Sequence, residues 1–437
     1  MNTVFPLKEL ASFDGNIYEI TAAASRRAYQ MSRIADPEIE RHAGKAVSVA
    51  ARQLFERRVS YRIESKSYPR AQKIPVIVIF APTASGKTAL AVNMFGKGSR
   101  FFFKGGAEIV NADSLQVYRG LNIGSAKPTA AERAALVHHL IDIKNIDEPY
   151  SVSNFVKDAD SACADIHARG AVPVVMGGTG FYIRNFILGL PQTPECDEKI
   201  RSDLKTRLLR DGTDVLYAEL LKVDAESARK ISKNDSYRVI RALEVFYSSG
   251  KPRSSFLMNV GVRSQYDFCI VILERSRKSL YERIDRRVEQ MFSAGLEEEV
   301  RALSALKDAA DSRKRYSTHC AEEAHAQDFQ TAKTLFKSME SPALKGIGYR
   351  EWFECGAFDT LDASSCAGGR RRDTIERVKE AIKRDTRRYA KRQITFVRGI
   401  PDSHRICSDD DAELQRETEK IICRFLEHRA AEETSGL

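Results

Sequence analysis

The sequence predicts an α/β protein with a parallel sheet, a helical insertion within the sheet domain, and a small all-helical module before it. Three observations support this fold class. From residue 74 onward, apolar β-rich runs alternate with helical stretches, a pattern typical of parallel sheets. Residues 191–250 are rich in Arg, Lys and Glu and contain no clear strand. Residues 1–63 show the spacing of short amphipathic helices.

Composition and charge limit the possible classes of protein. The 437 residues are 43% hydrophobic and 30% charged, enough for two or three domains with a substantial core. No apolar run approaches the roughly 20 residues that span a bilayer, and the N-terminus lacks the core of a signal peptide, so we expect a cytoplasmic protein without a membrane segment. The net charge of +10 is compatible with a polyanionic partner. The eight cysteines contain no Cys-x-x-Cys pair, which argues against a zinc site or a disulfide framework.

The N-terminal module is predicted to span residues 1–63, where apolar positions between Tyr18 and Leu54 recur at helical spacing. Residues 64–73 have the composition of a linker. A new domain is expected to begin with the strand at Ile74.

The sheet domain is predicted from four apolar runs, at residues 76–80, 107–110, 171–176 and 268–273. We expect the first part of the core over residues 74–190 and the helical insertion over residues 191–250. The core is expected to be completed, with basic C-terminal helices, over residues 251–400, and residues 401–437 are expected to form a C-terminal tail.

The turn after the first strand has the chemistry of a phosphate loop. Such a turn directs backbone amides inward, its lysine (Lys87) reaches a terminal phosphate, and its hydroxyl (Thr88) can bind Mg²⁺. A strand, such a loop and a helix in this order are typical of P-loop NTPases. The loop consists of Ala81, Pro82, Thr83, Ala84, Ser85, Gly86, Lys87 and Thr88. Ala81 stands where glycine is usual, which would cost roughly 1–2 kcal/mol if that residue needs a positive φ.

Two further polar loops follow predicted strands and are expected to reach the same crevice, because the carboxyl ends of parallel strands line it. The first contains Asp113, Ser114, Leu115 and Gln116, and the second contains Thr179. A lone aspartate there can hold Mg²⁺, cap a helix or act as a base, and an aspartate near an amide can also grip a purine edge. Three converging polar loops favour a binding site over unrelated turns.

Residues 74–400 resemble the bacterial tRNA dimethylallyltransferase family. The resemblance rests on the phosphate loop and on six further motifs in the family's order: residues 113–120 (DSLQVYRG), 138–142 (HHLID), 177–180 (GGTG), 241–245 (RALEV), 346–351 (GIGYRE) and 386–393 (TRRYAKRQ). It implies transfer of a dimethylallyl group from dimethylallyl diphosphate, with Mg²⁺, to the exocyclic amine of the adenosine that follows the anticodon.

The resemblance also implies a role for each matching residue. Asp113 would be the general base, whereas Lys87 and Thr88, with Mg²⁺, would stabilise the leaving diphosphate. A second set would bind tRNA, namely Asp113, Ser114, Leu115, Gln116, Thr179, Arg201, Arg238 and Arg241. The insertion would grip the anticodon arm, and we expect a monomer. The alternative is a phosphotransferase in which the same loop binds ATP and a small molecule is phosphorylated.

The N-terminal module resembles the omega subunit of bacterial RNA polymerase. The similar segments are residues 15–20 (GNIYEI), 23–30 (AASRRAYQ), 38–40 (EIE), 44–45 (GK) and 50–54 (AARQL). This resemblance implies that residues 1–63 bind the polymerase core. Two alternatives stay open: a small helical domain that assists folding, and a decayed or mis-started reading frame.

Overall fold

The computed structural model describes most of the chain, in two compact units that span residues 1–72 and 73–437. The predicted linker lies outside the described residues except for Lys73. The described residues are 17–34, 36–42, 45–56, 58–59, 73–99, 105–191, 193–194, 197–256, 261–303, 343–357 and 368–435.

The first unit is helical throughout its described part, as the sequence predicts. Its three helices are α1 (Ile17–Arg33), α2 (Pro37–Arg41) and α3 (Ala46–Phe55). Asp36 caps α2, because its side chain accepts a hydrogen bond from the Glu38 amide at 3.0 Å. The helices α1 and α3 pack through a small apolar core that contains Met31 and Val49.

The second unit is built on a six-stranded sheet. Its strands are β1 (Ile74–Phe80), β2 (Ala107–Asn111), β3 (His138–His139), β4 (Val172–Gly177), β5 (Tyr266–Glu274) and β6 (Ser403–Cys407). They lie in the order β3-β2-β4-β1-β5-β6, with every neighbouring pair parallel. The central strand β1 is buried on both faces, since Val76 to Phe80 are all 0% exposed. The sheet confirms the α/β, P-loop-like class that the sequence predicts.

Helices cover both faces of the sheet. The helices of the sheet domain are α4 (Lys87–Phe95), α5 (Ala130–Ala135), α6 (Val152–Ala168), α7 (Gly180–Leu188), α12 (Arg277–Ser293), α13 (Arg350–Glu354), α14 (Gly368–Val397) and α15 (Asp411–Ser435). One face of the sheet packs against α6, α7, α12, α13 and α14, and the opposite face packs against α4 and α15. No helix among the described residues is long and apolar enough to cross a membrane.

Between α7 and β5 the chain forms the predicted helical insertion. Its helices are α8 (Glu198–Asp211), α9 (Thr213–Val223), α10 (Ala225–Lys230) and α11 (Ser236–Ser249). They enclose a core of their own, which includes Leu204, Leu220 and Leu243. Three of the four helices begin at an aspartate whose side chain caps the first turn.

Residues 401–435, within the segment expected as a C-terminal tail, are folded. They form the edge strand β6, parallel to β5, and the long helix α15. Leu414 and Ile422 of α15 belong to the core on one face of the sheet. The apolar pattern of β6 is too weak to predict a strand, because only Ile406 of its five residues is buried.

Candidate active site

The phosphate loop joins β1 to α4 and contains two residues in the left-handed region. Ala84 has φ 63° and Gly86, which precedes α4, has φ 84°. Among the described non-glycine residues Ala81 is not one with positive φ, so the cost considered for its side chain does not arise. Its amide instead donates to the Gly177 carbonyl at 3.4 Å beside the β1–β4 pairing. The strained position is Ala84, where the methyl group costs roughly 1–2 kcal/mol.

Lys87 and Asp113 line the same cleft of about 600 Å³. Burial lowers the pKa of Lys87 to about 8, although the negative charge of Asp113 raises it, and the nearby Arg287 lowers it further. Burial also lowers the pKa of Arg287, again with Asp113 acting in the opposite direction. The carboxylate of Asp113 therefore lies within electrostatic reach of both cations.

The polar loops after β2 and β4 are joined by side-chain hydrogen bonds. The Asp113 side chain accepts from the Leu115 amide at 3.0 Å, which fixes the carboxylate on its turn. The Thr179 hydroxyl accepts from the Ser114 amide at 3.0 Å. Gln116 is buried and donates to the carbonyls of Ser125 and Ala126 at 3.1 Å each. These hydrogen bonds fix the part of the cleft lining that follows β2.

The structure brings most of the predicted site residues to one place. Those that line the cleft are Thr83, Ala84, Gly86, Lys87, Thr88, Asp113, Ser114, Leu115 and Gln116. Thr179 contacts them through Ser114.

The three arginines assigned to tRNA lie instead on the insertion, outside the cleft lining. Arg201 and Arg241 flank the fully buried Glu244, at 3.2 and 2.9 Å from its carboxylate oxygens. Arg238 is exposed and pairs with Asp235 at 2.9 Å. Two of the three thus meet at a buried acid, a role that the motif alone does not reveal.

Residues from α12 and α14 complete the cleft, and reasoning from the residues alone assigns none of them to the site. Gln393 of α14 accepts from the Thr83 amide at 3.1 Å and donates to the Gly178 carbonyl at 2.5 Å, so that it joins the phosphate loop to the turn after β4. Tyr389 lies one turn earlier. Burial raises its pKa to about 12, and the negative charge of Asp113 is the second cause of this rise. The four-residue spacing of Tyr389 and Gln393 is the signal that places both on one helix face.

The donor set is compatible with Mg²⁺ bound together with a phosphorylated ligand. No group of three or more acidic, His or Cys side chains that could hold a metal occurs among the described residues. The cleft offers the Thr88 hydroxyl and the Asp113 carboxylate. Hard oxygen ligands of this kind, few in number and supplemented by phosphate oxygens and water, are what Mg²⁺ prefers.

Comparisons with known proteins find similar curated sequences. A tRNA dimethylallyltransferase 2 from Geotalea daltonii is 38% identical over 326 residues, which are 74% of this chain and 85% of that protein. A tRNA dimethylallyltransferase from Verminephrobacter eiseniae is 34% identical over 369 residues, 82% of this chain and 98% of that protein.

A solved structure shares the fold. It is a eukaryotic dimethylallyltransferase described as acting on tRNA, 24% identical, with a TM-score of 0.57 over 77% of this chain and 75% of that chain.

Two family models match different parts of the sequence. The RNA polymerase Rpb6 model matches residues 9–61, in agreement with the resemblance of the N-terminal module to an RNA polymerase subunit. The IPP transferase model matches residues 116–400, more than half of the chain. With the curated relatives above, this match shows that the chain belongs to the IPP transferase family.

Proposed function

We propose that this chain transfers a dimethylallyl group from dimethylallyl diphosphate to the exocyclic amine of the adenosine that follows the anticodon in tRNA. Membership of the IPP transferase family and the names of the curated relatives support this activity. The observation that carries the proposal is the shared cleft, in which the Asp113 carboxylate and the phosphate loop face one space.

Asp113 is the proposed general base. An adenine amine is a poor nucleophile because its lone pair is delocalised into the ring, so removal of its proton during attack speeds the reaction, typically by roughly 10²–10⁴-fold. The nitrogen forms a bond to the allylic carbon, the bond from that carbon to the diphosphate oxygen breaks, and the amine proton passes to Asp113. The hydrogen bond from the Leu115 amide holds the carboxylate in place for this step.

The charge of the leaving diphosphate would be balanced by Lys87, by Arg287 and by the loop amides. Both side chains line the cleft, where partial exclusion of water strengthens their attraction for an anion. Thr88 would hold Mg²⁺, which when bound supplies further neutralisation of the diphosphate charge. At about 600 Å³ the cleft is within the usual size range of small-ligand sites, roughly 300–1,000 Å³.

A substitution at Asp113 tests the proposal. With Mg²⁺, dimethylallyl diphosphate and unmodified tRNA, we expect Asp113→Asn to lower the transfer rate by about 10²–10⁴-fold while diphosphate still binds. A rate close to that of the wild type would contradict the assigned base. ATP hydrolysis or small-molecule phosphorylation without tRNA would favour the phosphotransferase alternative instead.

The N-terminal unit has a separate proposed partner. Its match to the RNA polymerase Rpb6 model over residues 9–61 supports binding to the core of RNA polymerase. We expect the full chain to co-purify with the polymerase, and a chain that lacks residues 1–66 not to do so while it retains transfer activity. Equal recovery of polymerase with both chains would contradict this assignment.

We also propose that the protein acts in the cytoplasm, where its tRNA substrate resides, and as a monomer. Light scattering of the purified protein measures the oligomeric state directly, and a mass near 49.1 kDa is expected. Fractionation of cells tests the compartment.

A further inference from the structure

Two arginines outside the cleft lining hydrogen-bond to backbone carbonyls of the phosphate loop. Arg275, which is 5% exposed, donates to the Ser85 carbonyl from two nitrogens, at 3.2 and 3.0 Å. Arg283 donates to the Ala84 carbonyl at 3.0 Å. The loop is therefore supported on its carbonyl side by two arginine side chains.

The start of α15 holds both arginines. The Asp411 carboxylate pairs with Arg275 and, at 3.3 Å, with Arg283. Arg275 also donates to the Asp409 carbonyl at 2.7 Å. The parallel pairing of β6 with β5 brings this segment to the loop, because Glu274 is in register with Cys407 just before it.

We propose that Asp411 is a positioning residue for diphosphate binding, acting through Arg275 and Arg283 on the phosphate loop. The proposal deepens the function proposed above and rests on it, since it assumes that the loop holds the diphosphate of the donor. Asp411 lies beyond residue 400, where the match to the IPP transferase model ends.

Peptide geometry links these carbonyls to the cleft. In a planar trans peptide the carbonyl and the next amide point in opposite directions. When Arg275 fixes the Ser85 carbonyl, it also fixes the direction of the Gly86 amide, and Gly86 lines the cleft. Charge-assisted hydrogen bonds to a carbonyl also polarise the peptide and make its amide a stronger donor.

The backbone in this region needs such support. Ala84 and Gly86 are both left-handed, and strained backbone persists only where its surroundings hold it. The contacts are tight, since a Cβ added to Gly86 would lie 2.9 Å from an Arg283 nitrogen. Without the Asp411 carboxylate, the Arg283 guanidinium would lose the ion pair that holds it beside the loop and could leave the Ala84 carbonyl.

Binding of inorganic diphosphate to the full-length protein tests the proposal. We expect Asp411→Asn to weaken the affinity by about three- to tenfold, the loss typical of one disrupted hydrogen bond. The KM for dimethylallyl diphosphate should rise by the same factor, whereas the KM for tRNA should not change. Arg283→Lys, which keeps the charge but loses the planar donor fork, should act in the same direction.

Glu413→Gln is the matched control. It removes one carboxylate from the same first turn of α15, where Glu413 accepts a hydrogen bond from the Ser408 hydroxyl at 2.6 Å. The loss of a negative charge by itself should strengthen anion binding, whereas the loss of positioning should weaken it. Glu413→Gln measures the first effect alone. Asp411→Asn should therefore bind diphosphate more weakly than Glu413→Gln does.

Equal diphosphate affinities for Asp411→Asn and Glu413→Gln would overturn the proposal, and so would an unchanged affinity of Arg283→Lys. Thermal unfolding shows whether each variant is folded; if Asp411→Asn is not, Arg283→Lys decides. A wild-type protein that binds no diphosphate would instead show that the proposed function is wrong.

Discussion

Lys87 shows how the surroundings of a single side chain set its chemistry. The side chain is only partly exposed in the cleft, and burial lowers its pKa to about 8. Below that pH the ammonium group is charged and attracts diphosphate. Above it the free protein loses this charge, so binding requires that a proton be taken up.

Diphosphate binding should therefore weaken as the pH rises from 7 to 9. Because the charged form of Lys87 is the one that binds, the affinity is expected to fall by up to about tenfold per pH unit above the pKa. Diphosphate itself gains charge over this range. The comparison is therefore made with Lys87→Arg, whose side chain stays protonated.

Calorimetric titration of both proteins at pH 7, 8 and 9 measures the effect. The ratio of wild-type to Lys87→Arg affinity should decline with pH. A constant ratio would show that Lys87 remains charged throughout and would contradict the lowered pKa.

Within the insertion, Glu244 couples two helices. It belongs to α11, is 0% exposed, and pairs with Arg201 of α8 and with Arg241 of its own helix. A buried carboxylate that loses a partner is costly, because the remaining charge stays away from water. The pairs therefore stabilise the packing of α8 against α11.

Arg241→Ala is expected to lower the free energy of unfolding by about 2–3 kcal/mol, since Arg201 remains as a partner. Arg238→Ala, three residues earlier on the same helix, removes only an exposed pair and should cost less than about 1 kcal/mol. Urea denaturation measures both values. Similar losses in the two variants would contradict the structural role of Arg241.

The same two variants separate structure from tRNA contact. If Arg238 binds tRNA as the resemblance implies, Arg238→Ala should weaken tRNA affinity without a loss of stability. Arg238→Ala should then also reduce the dependence of tRNA binding on salt concentration, because one phosphate contact is lost. An unchanged salt dependence and affinity would remove Arg238 from the tRNA-binding set.

The edge strand β6 and helix α15 are integral to the second unit. Ile406, Leu414 and Ile422 are all at most 8% exposed and pack on the sheet. Burying each such side chain contributes about 1.5–3 kcal/mol. Removal of β6 would also leave β5 as the exposed edge strand of the sheet, which favours aggregation.

A chain that ends at Ile400 should therefore be insoluble or unfolded. Deletion of residues 1–66 removes more residues, but these residues belong to the other compact unit. The protein that remains should therefore melt at an unchanged temperature. Solubility and thermal unfolding of the two truncated chains provide the measurement. A folded, soluble chain that ends at Ile400 would contradict the role assigned to α15.

Taken over the whole molecule, local pattern predicts the fold well where strands are buried on both faces. Strands β1, β2, β4 and β5 are mostly apolar, although β2 contains Glu108 and β5 contains Asp267, and the sequence predicts each of them. The short strand β3 and the edge strand β6 carry little apolar pattern, because both of the residues in β3 and four of the five in β6 stay partly exposed.

The sequence likewise predicts some parts of the candidate site and not others. The phosphate loop and Asp113 follow predicted strands, and strand order brings them together. Gln393 and Arg287 reach the cleft only because distant helices pack there, which no local spacing encodes. Arg201 and Arg241 carry the expected charge, but their pairing with Glu244 depends on how α8 lies against α11.

The left-handed Ala84 has a thermodynamic consequence for the arrival of the donor. A residue with a methyl group samples fewer backbone states than glycine, so less conformational entropy remains to be lost when this turn closes on a ligand. Ala84→Gly should relieve the same strain in the free and the bound protein, yet make the entropy of diphosphate binding less favourable, and calorimetry would register a less favourable TΔS of binding.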